Sequence, residues 1–232
     1  MRDRLHDLSR FYQIVDQIEL RHRGTRQLIE SHGRMSWPGR GVYFFFEAGE
    51  TRSDDDAKSR VVRVGTHALK PSSATSLWRR LSRHKGTHSN GGGNHRGSIF
   101  RLLIGDAMMR RSPENVCPTW GQGASAPADV RASEQQLERL VSAYIGSMPF
   151  LCLSVEDEPG PDSLRGFIER NAIGLLSNYH RIHLDPTSSG WLGRLSSREQ
   201  VRASGLWNNH HVDKQHDPKF LDVMEHLMRK IG

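Results

Sequence analysis

The sequence predicts an α+β fold: a small core with a central, mostly antiparallel three-stranded sheet flanked by helices, enlarged by an insertion and by helical extensions at both ends. Three observations carry this expectation. Two short runs of β-branched and aromatic residues, Gly41–Glu47 and Arg60–Thr66, flank a polar, acidic stretch over Glu50–Lys58 and read as a hairpin. A helical pattern follows at once, giving the order β-β-α. Elsewhere apolar residues recur at three- and four-residue steps behind capping residues, as amphipathic helices require.

Taken in order, Leu5, Leu8, Phe11, Val15 and Ile18 have helical spacing, and the spacing predicts a helix over about 3–32 that Gly33 and Pro38 end. After the hairpin, Thr75 or Ser76 caps a helix to Lys85 with Leu77, Trp78 and Leu81 on one side. Residues 86–97 are rich in Gly and His and read as a loop, and Ser98–Ile104 reads as a strand. Residues 112–131, with three prolines, read as a surface insertion. Ser133-Glu134-Gln135-Gln136 has the form of a capping box before a helix carrying Leu137, Leu140, Val141, Tyr144 and Ile145. A strand over Pro149–Val155 follows, then a helix capped by Asp162 or Ser163 with Glu169 at the margin of its apolar face. Ser197-Arg198-Glu199-Gln200 opens a short helix closed by Gly205, and Asp217-Pro218 opens the last one.

Length and composition narrow the function classes. At 232 residues one decorated domain is expected, and 33 Lys+Arg against 26 Asp+Glu leave a net charge of +7. That excess suits a polyanionic partner, although solubility alone can account for basic surfaces. Cys117 and Cys152 are the only cysteines and lack metal or disulfide-framework spacing, which points to a reduced, cytoplasmic setting. No run approaches the ~20 apolar residues of a membrane span, and the charged start from Met1 does not read as an export signal.

The order and spacing of Gly41-Val42-Tyr43, Arg63-Val64-Gly65 and Leu77-Trp78-Arg79-Arg80-Leu81 resemble the signature of the GIY-YIG nucleases. The resemblance covers residues 39–180, with a helical extension over 1–38, an insertion at 86–131 and a C-terminal helical extension over 181–232. It implies a GIY-YIG-like core that hydrolyses phosphodiesters with one divalent metal ion, Mg²⁺ or Mn²⁺. Glu169 would be the metal ligand, Arg80 would hold the phosphate and Tyr43 would stand near the attacking water. Some restriction enzymes of the family add a histidine one turn after the arginine, and His84 fits that position. The implied partner is nucleic acid, with double-stranded DNA expected. Cutting both strands calls for two sites, which a homodimer on a palindromic target would supply.

The chemistry of these residue types agrees. A carboxylate suits Mg²⁺ or Mn²⁺, which neutralises charge and lowers the pKa of bound water, and a planar guanidinium grips two phosphate oxygens. Arg80 and His84, four apart on a helix, share one face. The family's second motif tyrosine is absent, and Arg63 or His67 could fill its neighbourhood, contacting phosphate or transferring a proton. Asn178 corresponds to an asparagine that often follows the family's glutamate. Nine residues on, it would lie ~13.5 Å along an unbroken helix, so it joins the site only if the helix ends first.

Arg79, Arg83, Lys85, His95 and Arg96 are candidate contacts to nucleic acid. Gly91–Gly97 could offer backbone N–H groups and Arg96 to a phosphate, or serve only as a flexible loop. The cluster from Trp207 to His211, with Asp213 and His216, has metal-ligand residue types but no zinc spacing. A loop packing on the core through Trp191 and Trp207, or touching nucleic acid, accounts for it better.

Overall fold

The computed structural model describes residues 2–87 and 91–231. In chain order the elements are α1 (Arg2–His22), β1 (Arg26–Gln27), β2 (Gly41–Thr51), β3 (Ser59–Gly65), α2 (Leu77–Lys85), α3 (Ile99–Arg111), α4 (Ala128–Ser133), α5 (Gln135–Ser147), β4 (Pro149–Ser154), α6 (Leu164–Leu176), α7 (Glu199–Ser204) and α8 (Lys219–Met228). The strands form one antiparallel sheet in the order β1-β4-β2-β3, so the expected three strands gain a two-residue edge strand.

Strand β2 is central, and its side chains alternate between two cores. Val42, Phe44 and Phe46 face α1, α6 and α8, where they meet Phe11, Ile168 and Phe220. Tyr43 and Phe45 face the opposite way, toward Leu77, Leu81, Phe100, Val141 and Trp207. Helices on both faces explain why β2 is buried without a break from Gly41 to Glu47.

The free edge of β3 is covered by the chain after α7. Trp207 N donates to Val62 O at 2.7 Å, and the Asn208 side chain both accepts from Val64 N at 3.1 Å and donates to Val64 O at 2.8 Å. An unpaired edge is an aggregation hazard, and this segment removes it. Trp191 and Trp207 are buried as expected, both donating to the Glu47 carboxylate, at 3.1 and 2.9 Å.

Three sequence expectations are corrected. The first helix ends at His22, because Arg23 and Gly24 turn to positive φ (59° and 116°) and Gly24 N closes on Glu19 O at 2.9 Å. The strand expected at Ser98–Ile104 is the start of α3. Ser98 caps that helix by accepting from Arg101 N at 3.3 Å, and Phe100, Leu103, Ile104, Ala107 and Met108 form its buried stripe. A short apolar window fits either period, and only the residues beyond it show the helical one. The expected capping box at Ser133 does not form. Ser133 ends α4, bonding back to Val130 O at 2.8 Å, while Glu134 turns its carboxylate to Arg96.

Of the remaining terminators, Ser76 caps α2, Ser163 caps α6 and Gly205 closes α7 in the left-handed region at φ 74°. Helix α7 starts after Arg198 without a side-chain cap, and α8 starts one residue later than expected, with Pro218 at the cap position and Asp217 accepting from Lys219 N at 3.0 Å. Within the expected loop at 86–97, residues 88–90 lie outside the described residues. Two of its glycines serve close packing. A Cβ at Gly92 would overlap the Gln135 amide, and one at Gly93 the Arg101 guanidinium. Among the described residues no helix is long and apolar enough to cross a membrane.

Candidate active site

Tyr43 lies mid-strand on β2, opposite Gly65 of β3. Its hydroxyl stands 2.8 Å from His84 Nε2, and His84 Nδ1 stands 2.7 Å from the Ser98 hydroxyl at the start of α3. His84 reaches this position because Leu77, Leu81 and His84 recur at helical spacing on the buried face of α2. It is fully buried, and burial first, then the charges of Arg80, Arg63, Arg101 and Arg83, push its pKa well below the ordinary value. It is therefore a neutral imidazole at neutral pH.

Arg80, one turn before His84, is half-buried and turned toward the Tyr43 oxygen and Glu169. The Tyr43 oxygen, more than any other group, holds its pKa up against the cost of burial. Glu169 comes in from α6. Its Oε1 accepts from Thr66 N at 3.1 Å, directly after the second motif. Burial raises the Glu169 pKa, while Arg63, the Thr66 N–H and Arg80 draw it down.

Tyr43, Arg63, Arg80, His84 and Glu169 thus meet where β2, β3, α2 and α6 converge. His67 sits beside this group. Its Nδ1 is 2.8 Å from Thr75 O, so that nitrogen carries the proton, while Nε2 is buried with no partner among the described residues. Burial is the largest cause lowering its pKa, aided by Arg165, Arg80 and Arg40.

Other candidates have different surroundings. Helix α6 does end before Asn178, but that side chain closes its own loop, donating to Asp185 O at 2.8 Å and accepting from Leu184 N at 3.2 Å. His95 is buried, bonded to Glu138 at 3.0 Å and stacked on Trp120 at 3.9 Å. Arg96 forms a two-pronged pair with Glu134 at 2.6 and 2.7 Å. Lys85 donates to the carbonyls of Ile29 and Ser31 at 3.2 and 2.6 Å. Arg79 and Arg83 are exposed on the outer face of α2.

Among the described residues no group of three His, Cys, Asp or Glu side chains gathers to hold a metal ion. His216 is committed to Asp7 at 2.8 Å. A single carboxylate such as Glu169, with one oxygen on a backbone N–H and the other unengaged, fits a hard divalent ion that keeps most of its own waters. Among the described residues Arg63 Nε and Arg80 Nε are buried donors without a partner, as groups awaiting an anion would be.

Sequence reasoning missed Ser98, hidden in what reads as a strand, and Thr66, whose contribution is a backbone N–H. Ser98 carries a signal that could have found it, a serine in N-cap position ahead of an apolar run, whereas Thr66 carries none.

Comparison with curated proteins and with solved structures returns no match. A family model described as the GIY-YIG domain matches residues 2–232. With that match over the chain, the motif strands paired in one hairpin and the arginine helix packed behind them, the protein belongs to the GIY-YIG family, a family of nucleases.

Proposed function

We propose that the protein is a metal-dependent endonuclease that hydrolyses phosphodiester bonds of double-stranded DNA, in restriction or phage defence. The observation that carries this reading is the 2.8 Å contact between Tyr43 and a neutral, buried His84, with Arg80 and Glu169 beside it. A bound Mg²⁺ or Mn²⁺ at Glu169 would supply charge neutralisation and acidify water.

The chain's own residues supply the rest. The positive charges of Arg63 and Arg80 act on the Tyr43 oxygen, which favours a Tyr43 proton directed at His84 Nε2. His84 then carries its own proton on Nδ1 and donates it to Ser98. As water attacks phosphorus, its proton passes to the Tyr43 oxygen while the Tyr43 proton passes to His84 Nε2; the bond from phosphorus to the leaving sugar oxygen breaks, and that oxygen takes its proton from solvent. Arg80 holds the phosphate in one plane. Arg79 and Arg83 meet the flanking backbone, a role that Lys85, His95 and Arg96 fit less well because their polar atoms are engaged within the protein.

The test is cleavage of plasmids of varied sequence and modification with Mg²⁺ or Mn²⁺, comparing wild type with Tyr43→Phe and Arg80→Ala. Wild-type cleavage lost in both variants supports the reading. A second reading, a catalytically silent module that binds nucleic acid, is favoured by Arg63 standing in the motif tyrosine's place. Salt-dependent DNA binding without cleavage by wild type would select it.

A further inference from the structure

Arg63 is where this chain departs from its family's signature, and its surroundings are unlike those of the other buried arginines. Arg60 is paired with Glu50, Arg101 with Glu138 and Arg165 with Asp157. Among the described residues Arg63 has no carboxylate within ion-pair distance. Its Nη1 donates to the Trp207 carbonyl, its guanidinium covers the Phe100 ring at 4.5 Å, and its Nε has no partner among the described residues. A buried charge without an ion pair costs stability, so a folding role explains it poorly.

Its register aims it. Phe45 pairs with Arg63 but Phe46 pairs with Val61, so Val62 is the extra residue. A bulge next to Arg63 keeps Val62 on the same side as Arg63 and returns Val61 to the core that Val64 lines. Without it, strict alternation would send Val62 to the core of Val64 and Val61 to the core of Tyr43.

Resting on the nuclease reading, we infer that Arg63 is a positioning residue that does the work of the missing motif tyrosine. It fixes the Tyr43 hydroxyl with its proton directed at His84, and it is held in place by the Trp207 carbonyl of the C-terminal segment. It acts through Tyr43. It therefore contributes to the chemical step and not to DNA affinity. The C-terminal segment, which pairs with β3 at Val62 and Val64, becomes part of the site it encloses.

The experiment measures single-turnover cleavage at saturating DNA, the DNA concentration giving half-maximal rate, and the melting temperature. It compares wild type, Arg63→Met, Arg63→Lys and Arg63→Ala with and without millimolar guanidinium. The expected result is a rate lowered about 100-fold in Arg63→Met, the scale of one lost preorganised donor. Half-saturation should stay within about threefold and melting should change little, as expected when only the chemical step is affected. Free guanidinium should restore Arg63→Ala about tenfold or more, and Arg63→Lys should fall between wild type and Arg63→Met. An Arg63→Met rate within about threefold of wild type would overturn the inference. So would a rate loss that follows a lower melting temperature and resists guanidinium. Absence of cleavage by wild type itself overturns the nuclease reading and this inference with it, and is recognised because wild type and every variant are then alike.

Discussion

Tyr43 and Gly65 are directly opposed across the β2–β3 hairpin, and the tyrosine ring occupies the space that a side chain at Gly65 would need. A Cβ there would overlap both the ring carbon Cζ and the hydroxyl that faces His84. The motif glycine is thus a steric requirement of the catalytic tyrosine proposed here. Gly65→Ala should cost about 1–3 kcal/mol through overpacking and lower cleavage far more than stability. Urea midpoints and cleavage rates test this. An alanine variant that cuts like wild type would show that the ring can move without consequence.

His84 predicts a pH dependence of stability. Its pKa in the folded protein is far below the ordinary 6.5, so the unfolded chain binds this proton more readily. Stability from this group is complete above about pH 6.5 and is lost as the pH falls, by at most ~1.4 kcal/mol per pH unit. Melting of wild type and His84→Gln between about pH 7.5 and 5.5 should show a shallower slope in the variant. His67 and His211, also shifted down by burial, keep some slope. Equal slopes would contradict the assignment.

Glu169 has the opposite sign. Burial raises its carboxyl above the ordinary value, so the folded protein binds the proton more tightly and the ionised form costs stability as the pH rises through that raised value. Glu169→Gln should therefore stabilise the metal-free protein at neutral pH by about 1 kcal/mol while abolishing cleavage, the usual conflict between stability and function. Calorimetric titration with Mn²⁺ adds a separate readout. Undiminished Mn²⁺ binding in the variant would remove Glu169 from the metal site.

Asn208 predicts a purely structural effect. Its amide satisfies both Val64 N and Val64 O on the sheet edge. Asn208→Ala leaves two buried backbone groups unpaired, at about 1–3 kcal/mol each, and opens the edge to other chains. A lower urea midpoint and concentration-dependent aggregation are expected. Light scattering like that of wild type at matched stability would show that the edge is protected in some other way.

The hairpin, α2 with its Ser76 cap, β4 and α6 were legible in the sequence because each is fixed by local pattern. Side-chain period, a capping oxygen and a terminating glycine act within a few residues. The same reasoning placed Tyr43, Arg80, His84 and Glu169 on the right elements. It failed at α3, where seven residues fit two periods, and at Ser133, whose hydroxyl closes the preceding helix.

By itself the sequence determined the motif order, the helix face shared by Arg80 and His84, and the basic character of the chain. Only the tertiary structure decided which candidates meet. Asn208 reaches Val64 across 144 residues, Thr66 meets Glu169 across 103, and Tyr43 meets His84 across 41. Such contacts form only when two distant segments lose their chain entropy together, and no local pattern records them. The same holds for Arg96, whose charge is taken up by Glu134 (38 residues away), and for Arg63, which donates to the Trp207 carbonyl across 144 residues.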